Sequence, residues 1–251
     1  EVVKCGVWAK GRFRGEQMLY HSERIYGIDI SKYQHVYKRR VYGIDWRNLR
    51  ITRLGHTADR NALGAVDYPV SFVYIKSTEG LTVFNPYYTQ DVRAARRYGF
   101  PVGAYHFFST RPAMSQADYF LKKSRLRKGD LPPMLDVELS DRRIAAMGGR
   151  DVLFREMLVW LKEVGRRSGT TPIIYVSQDF VNRYMPFASE ELKAYPVWVA
   201  RYGEYKPYVH LLYWQLSPDG RVRGIQGDVD IDVFNGSEEQ FKRYLRTQTV
   251  K

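Results

Sequence analysis

Asp136 and Glu138 close the apolar run Leu131-Pro132-Pro133-Met134-Leu135-Asp136-Val137-Glu138, with one residue between them. On a strand, residues two apart project from the same face, so both carboxyls point one way. Two acids so placed repel each other, and one of them keeps its proton into the neutral range. Acid catalysis needs such a group. Taken alone, Asp-x-Glu reads equally well as a helix cap followed by a solvated Glu. The rest of the chain has to decide between the two.

The elements that must position this pair are legible as eight short apolar runs, at 26–31, 71–76, 101–108, 131–138, 172–177, 196–201, 211–215 and 228–234. They are the candidate strands. Helical stretches separate the earlier ones. Asn85-Pro86 is a helix start that leads through Val92 and Ala95 to Gly99. The stretch 113–126 puts Ala117, Phe120 and Leu121 on one face, and 151–167 does the same with Leu153, Met157, Trp160, Leu161 and Val164. Ser177 caps a short helix, and Ser237-Glu238-Glu239-Gln240 is a capping box for a terminal one. After the sixth run the gaps, 203–210 and 217–227, are too short for crossover helices. The expected fold is therefore α/β, an irregular TIM-like barrel. Five β/α units are followed by three strands joined by loops rather than full helices.

Residues 26–251 are expected to form one barrel domain with a C-terminal helix, and residues 1–25, which lack periodicity, an extension or linker. The stretch 35–68 is irregular. One helix is expected near Ile44-Asp45-Trp46 and an inserted loop between His56 and Ala65.

Composition narrows the chemistry. The 251 residues include one cysteine, Cys5, so no internal disulfide or zinc-thiolate site is available. The five histidines show no metal spacing, and no metal or other cofactor is expected. There is no Gly-x-Gly-x-x-Gly after a strand, no phosphate-binding loop and no Gly-x-Ser-x-Gly elbow. No apolar run approaches the roughly 18 residues of a membrane span. The net charge of +13 is scattered, with clusters such as Lys38-Arg39-Arg40. No basic stripe interleaved with aromatics marks a nucleic-acid surface. Because the chain begins at Glu1 rather than Met, the lack of a leader or anchor in it carries no expectation about secretion.

In barrels of this kind the working groups sit at the C-terminal ends of the strands. Those ends supply Asp29, Lys76 to Glu79, Tyr105-His106, Asp136 with Glu138, Tyr175, Trp198, Trp214-Gln215 and the acids of the last strand. At least three strand ends thus deliver carboxylates to one mouth. An acidic, aromatic mouth suits an uncharged polyhydroxyl substrate, because sugars stack on Tyr and Trp and are cleaved by carboxylate pairs.

The chain resembles glycoside hydrolase family 25, the lysozymes of the Chalaropsis type, from about Tyr26 to Gly236. The resemblance is carried by Gly27-Ile28-Asp29-Ile30-Ser31, by the run Phe72 to Gly80, and by Gly103-Ala104-Tyr105-His106-Phe107. Asp136-Val137-Glu138, Tyr213-Trp214-Gln215 and Val229-Asp230 with Phe234 complete it. It implies a barrel of five β/α units followed by three strands. It also implies hydrolysis of the β-1,4 bond between N-acetylmuramic acid and N-acetylglucosamine in peptidoglycan. Carried over by position, Glu138 is the general acid/base and Asp136 its partner carboxylate. Asp29 and Asp230 complete the acidic set, with Asp228 and Asp232 as alternatives to Asp230. Substrate assistance by the N-acetyl group is the expected route, and direct attack by an aspartate the other.

Tyr74, Tyr105, His106, Tyr175, Trp198, Trp214 and Gln215 are the expected sugar contacts, although Trp214 reads equally as core and Tyr105 and His106 can equally fill the barrel top. Peptidoglycan is the expected partner, nucleic acid is not, and a monomer acting outside the cytoplasm is expected. A carbohydrate-binding barrel without catalysis, or another glycosidase on N-acetylated polysaccharide, are the competing readings.

Overall fold

The computed structural model describes residues 7–9, 12–15, 24–57, 60–200 and 209–251. Eight strands close a barrel: β1 (Tyr26–Ile30), β2 (Val73–Glu79), β3 (Val102–Phe107), β4 (Met134–Val137), β5 (Ile173–Ser177), β6 (Pro196–Ala200), β7 (His210–Arg223) and β8 (Val229–Phe234). Neighbours from β1 to β7 pair parallel. β8 runs antiparallel to both β7 and β1, which closes the ring. The irregular barrel expected from the gap lengths is thus observed, with a direct β7–β8 return in place of a crossover helix.

Alternation along each strand divides the core in two. Outward residues such as Ile28, Val73, Ile75, Leu135, Val137, Ile174 and Val176 pack against the helices. Inward residues Phe72, Tyr74, Trp198, Tyr213 and Phe234 fill the barrel's lower half. The interior is narrow there. A Cβ on Gly27 would collide with the Phe72 ring, and one on Gly103 with the Tyr74 ring, so glycine is required for close approach.

The helices that cover the outer face are α1 (Tyr88–Arg97), α2 (Ala113–Ser124), α3 (Asp141–Ala146), α4 (Arg150–Ser168), α5 (Gln178–Arg183) and α6 (Glu190–Lys193). α7 (Glu238–Thr247) begins with the expected capping box. Its Phe241 packs on Phe72 and Phe234 and plugs the bottom of the barrel. Ser177 caps α5 by accepting from the Phe180 N–H. α1 starts three residues after Asn85, whose side chain instead accepts from the Tyr87 N–H and organises the turn that leads in.

Two expectations need correction, and one segment carries structure that was not expected. The helix near Trp46 is a three-residue 3-10 turn, Trp46–Asn48. The inserted loop is a β-hairpin, Arg50–Thr57 with Arg60–Pro69, that pairs with Arg221, Val222 and Arg223 of β7. This pairing is also why β7 runs on through the stretch expected to be loop. Within residues 1–25, Val7–Ala9 and Arg12–Gly15 pair as a short antiparallel hairpin. Most of the expected 203–210 turn lies outside the described residues.

One buried ion pair ties the segment after β1 to α1. His35 Nε2 lies 2.8 Å from Asp91 Oδ2, and both side chains are 2% exposed. Nδ1 is 3.0 Å from the Tyr42 carbonyl and must carry a proton, because a carbonyl only accepts. Removing one member strands the other in the interior. Asp91→Ala is therefore expected to reduce unfolding free energy by roughly 3–5 kcal/mol, measured by urea denaturation. A loss below about 1 kcal/mol would mean that His35 finds another partner.

Candidate active site

The upper half of the barrel is acidic where the lower half is aromatic. Asp29 lies near the C-terminal end of β1, and Asp230 on β8 is its cross-strand partner. Asp136 is the third residue of β4, and Glu138 follows directly after that strand. Asp29 and Asp136 are buried, 7% and 6% exposed. Glu138 reaches solvent at the mouth, while protein atoms crowd its inner side. Tyr105 on β3 and Gln215 on β7 face Asp29, and Tyr175 on β5 faces Glu138. The Tyr175 hydroxyl donates to Gln215 Oε1 at 3.3 Å.

Burial and mutual repulsion push every acid here upward. Asp29 rises to about 7, first through burial and then through the Glu138 charge, with Gln215 and Tyr105 opposing. Asp230 rises to about 9, through burial and then Asp29 and Glu138. Asp136 moves well above the carboxylate range through burial, then the charges of Glu138 and Asp29. Glu138 is also raised by burial, but Lys76 and the Tyr175 hydroxyl pull it back. In the free cleft Asp136 is thus the more firmly protonated member of the pair. Packing decides this: Glu138 stands past the strand end and reaches solvent, whereas Asp136 is enclosed within the barrel.

A stability consequence follows from these directions. Below the usual 3.8 both folded and unfolded chains hold these protons. As pH rises, the unfolded chain releases them first, so the folded state loses ground. The loss runs up to about 7 for Asp29 and about 9 for Asp230. Urea midpoints are expected to fall steadily from about pH 5 to about pH 9. Midpoints that rise over that interval would contradict a protonated cluster.

Of the expected sugar contacts, the structure brings Tyr105, Tyr175 and Gln215 to the acids and leaves four away from them. Tyr74 and Trp198 face inward but lie a layer too deep, fully buried in the aromatic floor. The Tyr74 hydroxyl donates to the Pro132 carbonyl at 3.1 Å. His106 points outward, beneath the helices, with Nδ1 2.7 Å from Thr78 Oγ1, Nε2 3.1 Å from Gln116 Oε1 and its ring stacked on Trp160. Burial lowers its pKa to about 4, so it is a neutral core residue. Trp214 also faces outward, with the Arg24 guanidinium 5.5 Å from its ring.

Two residues named at the strand ends but given no part in the expected site also matter. Lys76, two positions above Tyr74 and so inward-facing at mouth level, bonds Glu79 at 2.7 Å. Its ammonium lies 4.5 Å from the centroid of the Phe107 ring, and it is the cation that draws down both Asp136 and Glu138. Asp232 is fully buried below Asp230, near the Trp198 side chain and the Asp29 backbone, and burial with the charges of Asp29 and Asp230 raises it well above the carboxylate range. Asp228, the other alternative, pairs with Arg221 at the surface.

A cavity of about 410 Å³ opens at this mouth, lined among others by Glu138, Tyr175, Phe180, Tyr184, Ala200 and Gln215. Its size suits a small ligand or one sugar unit of a polymer. Among the described residues no group of three or more His, Cys, Asp or Glu is placed to hold a metal ion. No helix among them is long and apolar enough to cross a membrane.

A closed, irregular β/α barrel with paired carboxylates and tyrosines at its mouth defines a glycoside hydrolase. Residues 28–225 match the model for glycosyl hydrolases family 25, and the chain belongs to that family. YegX of Escherichia coli is 33% identical over 228 residues, 89% of this chain and 74% of that one. A lysozyme of Streptomyces globisporus is 29% identical over 229 residues, 85% of this chain and 68% of the relative. Among solved structures, a bacterial lysozyme from Streptomyces coelicolor superposes with a TM-score of 0.70 at 26% identity, covering 88% of this chain and 96% of that one.

Proposed function

We propose that the chain is an N-acetylmuramidase that hydrolyses the β-1,4 bond between N-acetylmuramic acid and N-acetylglucosamine in peptidoglycan. The observation that carries this is the convergence of Asp29, Asp136, Glu138 and Asp230, from three strands, on one tyrosine-lined mouth. A non-catalytic sugar-binding barrel has no use for four carboxyls that repel one another and lose stability as they ionise.

Glu138 is the acid/base. It is the most solvent-accessible carboxyl of the Asp-x-Glu pair, so it can reach both a glycosidic oxygen and an incoming water. Protonated, it gives its proton to the leaving oxygen as the bond to the anomeric carbon breaks. The substrate's acetamido oxygen then closes onto that carbon, and positive charge develops on the acetamido nitrogen. Asp136 accepts the N–H of that group and stabilises the charge. Glu138, now a carboxylate, takes a proton from water, which opens the ring and returns the anomeric configuration to the original one. The firm proton on Asp136 in the free cleft must leave on the way to this state. Asp29, poised near neutrality beside it, is the group able to take it.

Tyr105, Tyr175 and Gln215 orient the carboxyls and offer hydroxyl and amide contacts to the sugar. The site is complete within one chain, in keeping with a monomer. Peptidoglycan lies outside the cytoplasm, and the enzyme is expected to act there. Purified cell walls should lose turbidity and release reducing sugars when the protein is added. Walls that bind the protein without either change would favour the non-catalytic barrel.

A further inference from the structure

The segment that follows β1 forms a lip on the barrel mouth. Ser31 caps the 3-10 turn Lys32–Gln34, and Gln34 Nε2 donates to the Asp228 carbonyl at 3.1 Å, just before the strand that carries Asp230. His35 then holds the segment to Asp91, and the Tyr37 ring fills the space over Gly227. On this anchored base stands a two-residue hairpin. Val36–Tyr37 pairs with Arg40–Val41, and Lys38 and Arg39 form the tip.

Three features of the tip have no role in the fold. Lys38 and Arg39 both adopt positive φ, 47° and 64°, where hairpins ordinarily place Asn and Gly. Lys38, Arg39 and Arg40 are exposed, and no acidic side chain pairs with any of them among the described residues. The lip also exposes apolar surface at Tyr33, Val36 and Val41, which are 67%, 41% and 68% exposed. A cationic tip with apolar flanks, its Lys38 ammonium 5.3 Å from the centroid of the Tyr37 ring and free of any acidic partner, therefore stands beside a cleft lined by carboxyl groups.

The substrate has a matching pattern. Its glycan backbone is uncharged, and short alanine-containing peptides with free carboxylates branch from the lactyl groups. Among the described residues, the acid-lined cleft offers those peptides only Lys76, already bonded to Glu79, whereas the exposed cations of the lip attract them. We propose that the Lys38-Arg39-Arg40 lip binds the carboxylates of the stem peptides while the glycan strand lies in the acidic cleft. This rests on peptidoglycan being the substrate, but not on its cleavage.

The test is co-sedimentation with insoluble peptidoglycan, native or with its peptide carboxyls converted to carboxamides. The triple variant Lys38→Gln/Arg39→Gln/Arg40→Gln keeps L-residues at the two left-handed positions, so the backbone cost of the turn is unchanged. Three exposed charge contacts predict that its affinity for native wall falls about tenfold at low salt. On the amidated wall, variant and wild type should bind alike. Equal binding of both proteins to native wall, or an equal loss on both walls, would overturn the proposal.

If the variant folds poorly, the wild type alone decides. It should prefer native over amidated wall about tenfold, and the preference should vanish near 1 M salt, where screening acts within roughly 3 Å. Absence of that preference rejects the lip. Because no turnover is read, a chain that binds through the lip and leaves the wall uncut would reject the muramidase reading while the lip stands.

Discussion

Glu138→Gln is expected to lower kcat on peptidoglycan by about 10²–10⁴-fold, the range that a positioned general acid contributes. The amide keeps the shape and its contact with Tyr175, but cannot give up a proton or take one from water. KM should change little, because the acetamido and hydroxyl contacts belong to other residues. The cluster itself should relax, since the Glu138 charge helps push Asp29, Asp136 and Asp230 upward. The variant should therefore be at least as stable as the wild type near neutral pH. A stable, wall-binding and inactive variant is the expected combination, read by steady-state kinetics with urea denaturation. Activity within a few-fold of wild type would remove Glu138 from the acid/base role.

Asp136→Asn is the second large effect, and it separates charge from shape. The Asn amide resembles the protonated Asp136 of the free cleft and should leave folding intact. If Asp136 must become an anion as the acetamido nitrogen turns positive, the variant loses that stabilisation. The loss expected from removing such a fixed electrostatic partner is about 10²–10³-fold in kcat. A rate near that of the wild type would mean that Asp136 works as a neutral hydrogen-bonding group, and that the positive charge is met elsewhere, by Asp29 or Asp230.

Much of this architecture was written in local patterns. Gap lengths marked the change from β/α units to a direct strand return. Capping chemistry placed α5 and α7, at Ser177 and Ser237. The hairpin between Arg50 and Pro69 was hidden because its partner, the far half of β7, is distant in sequence. Register across that distance leaves no local trace.

The candidate site was legible in its acids and less so in its aromatics, for a reason of parity. Tyr105-His106 and Trp214-Gln215 are adjacent pairs, and strand neighbours face opposite ways. Only one of each pair can enter the barrel, and Asp29, Asp136 and Asp230 fix which. That count would have removed His106 and Trp214 from the mouth. Parity could not remove Tyr74 and Trp198, which face inward like the acids. Their depth depends on the tilt and stagger of the strands, which the sequence alone does not display. The same depth difference separates Lys76, one layer above Tyr74, and Asp232, one layer below Asp230, both of which the strand pattern places on the inward face.

The most direct test is the new chain end made by the reaction. Defined peptidoglycan would be digested to completion, reduced with borohydride and examined by mass spectrometry. Cleavage on the muramic side predicts that every new reducing end is N-acetylmuramic acid, recovered as N-acetylmuramitol. Recovery of N-acetylglucosaminitol instead would show that the other glycosidic bond is cut, and would contradict the assignment of this acidic mouth to a muramidase.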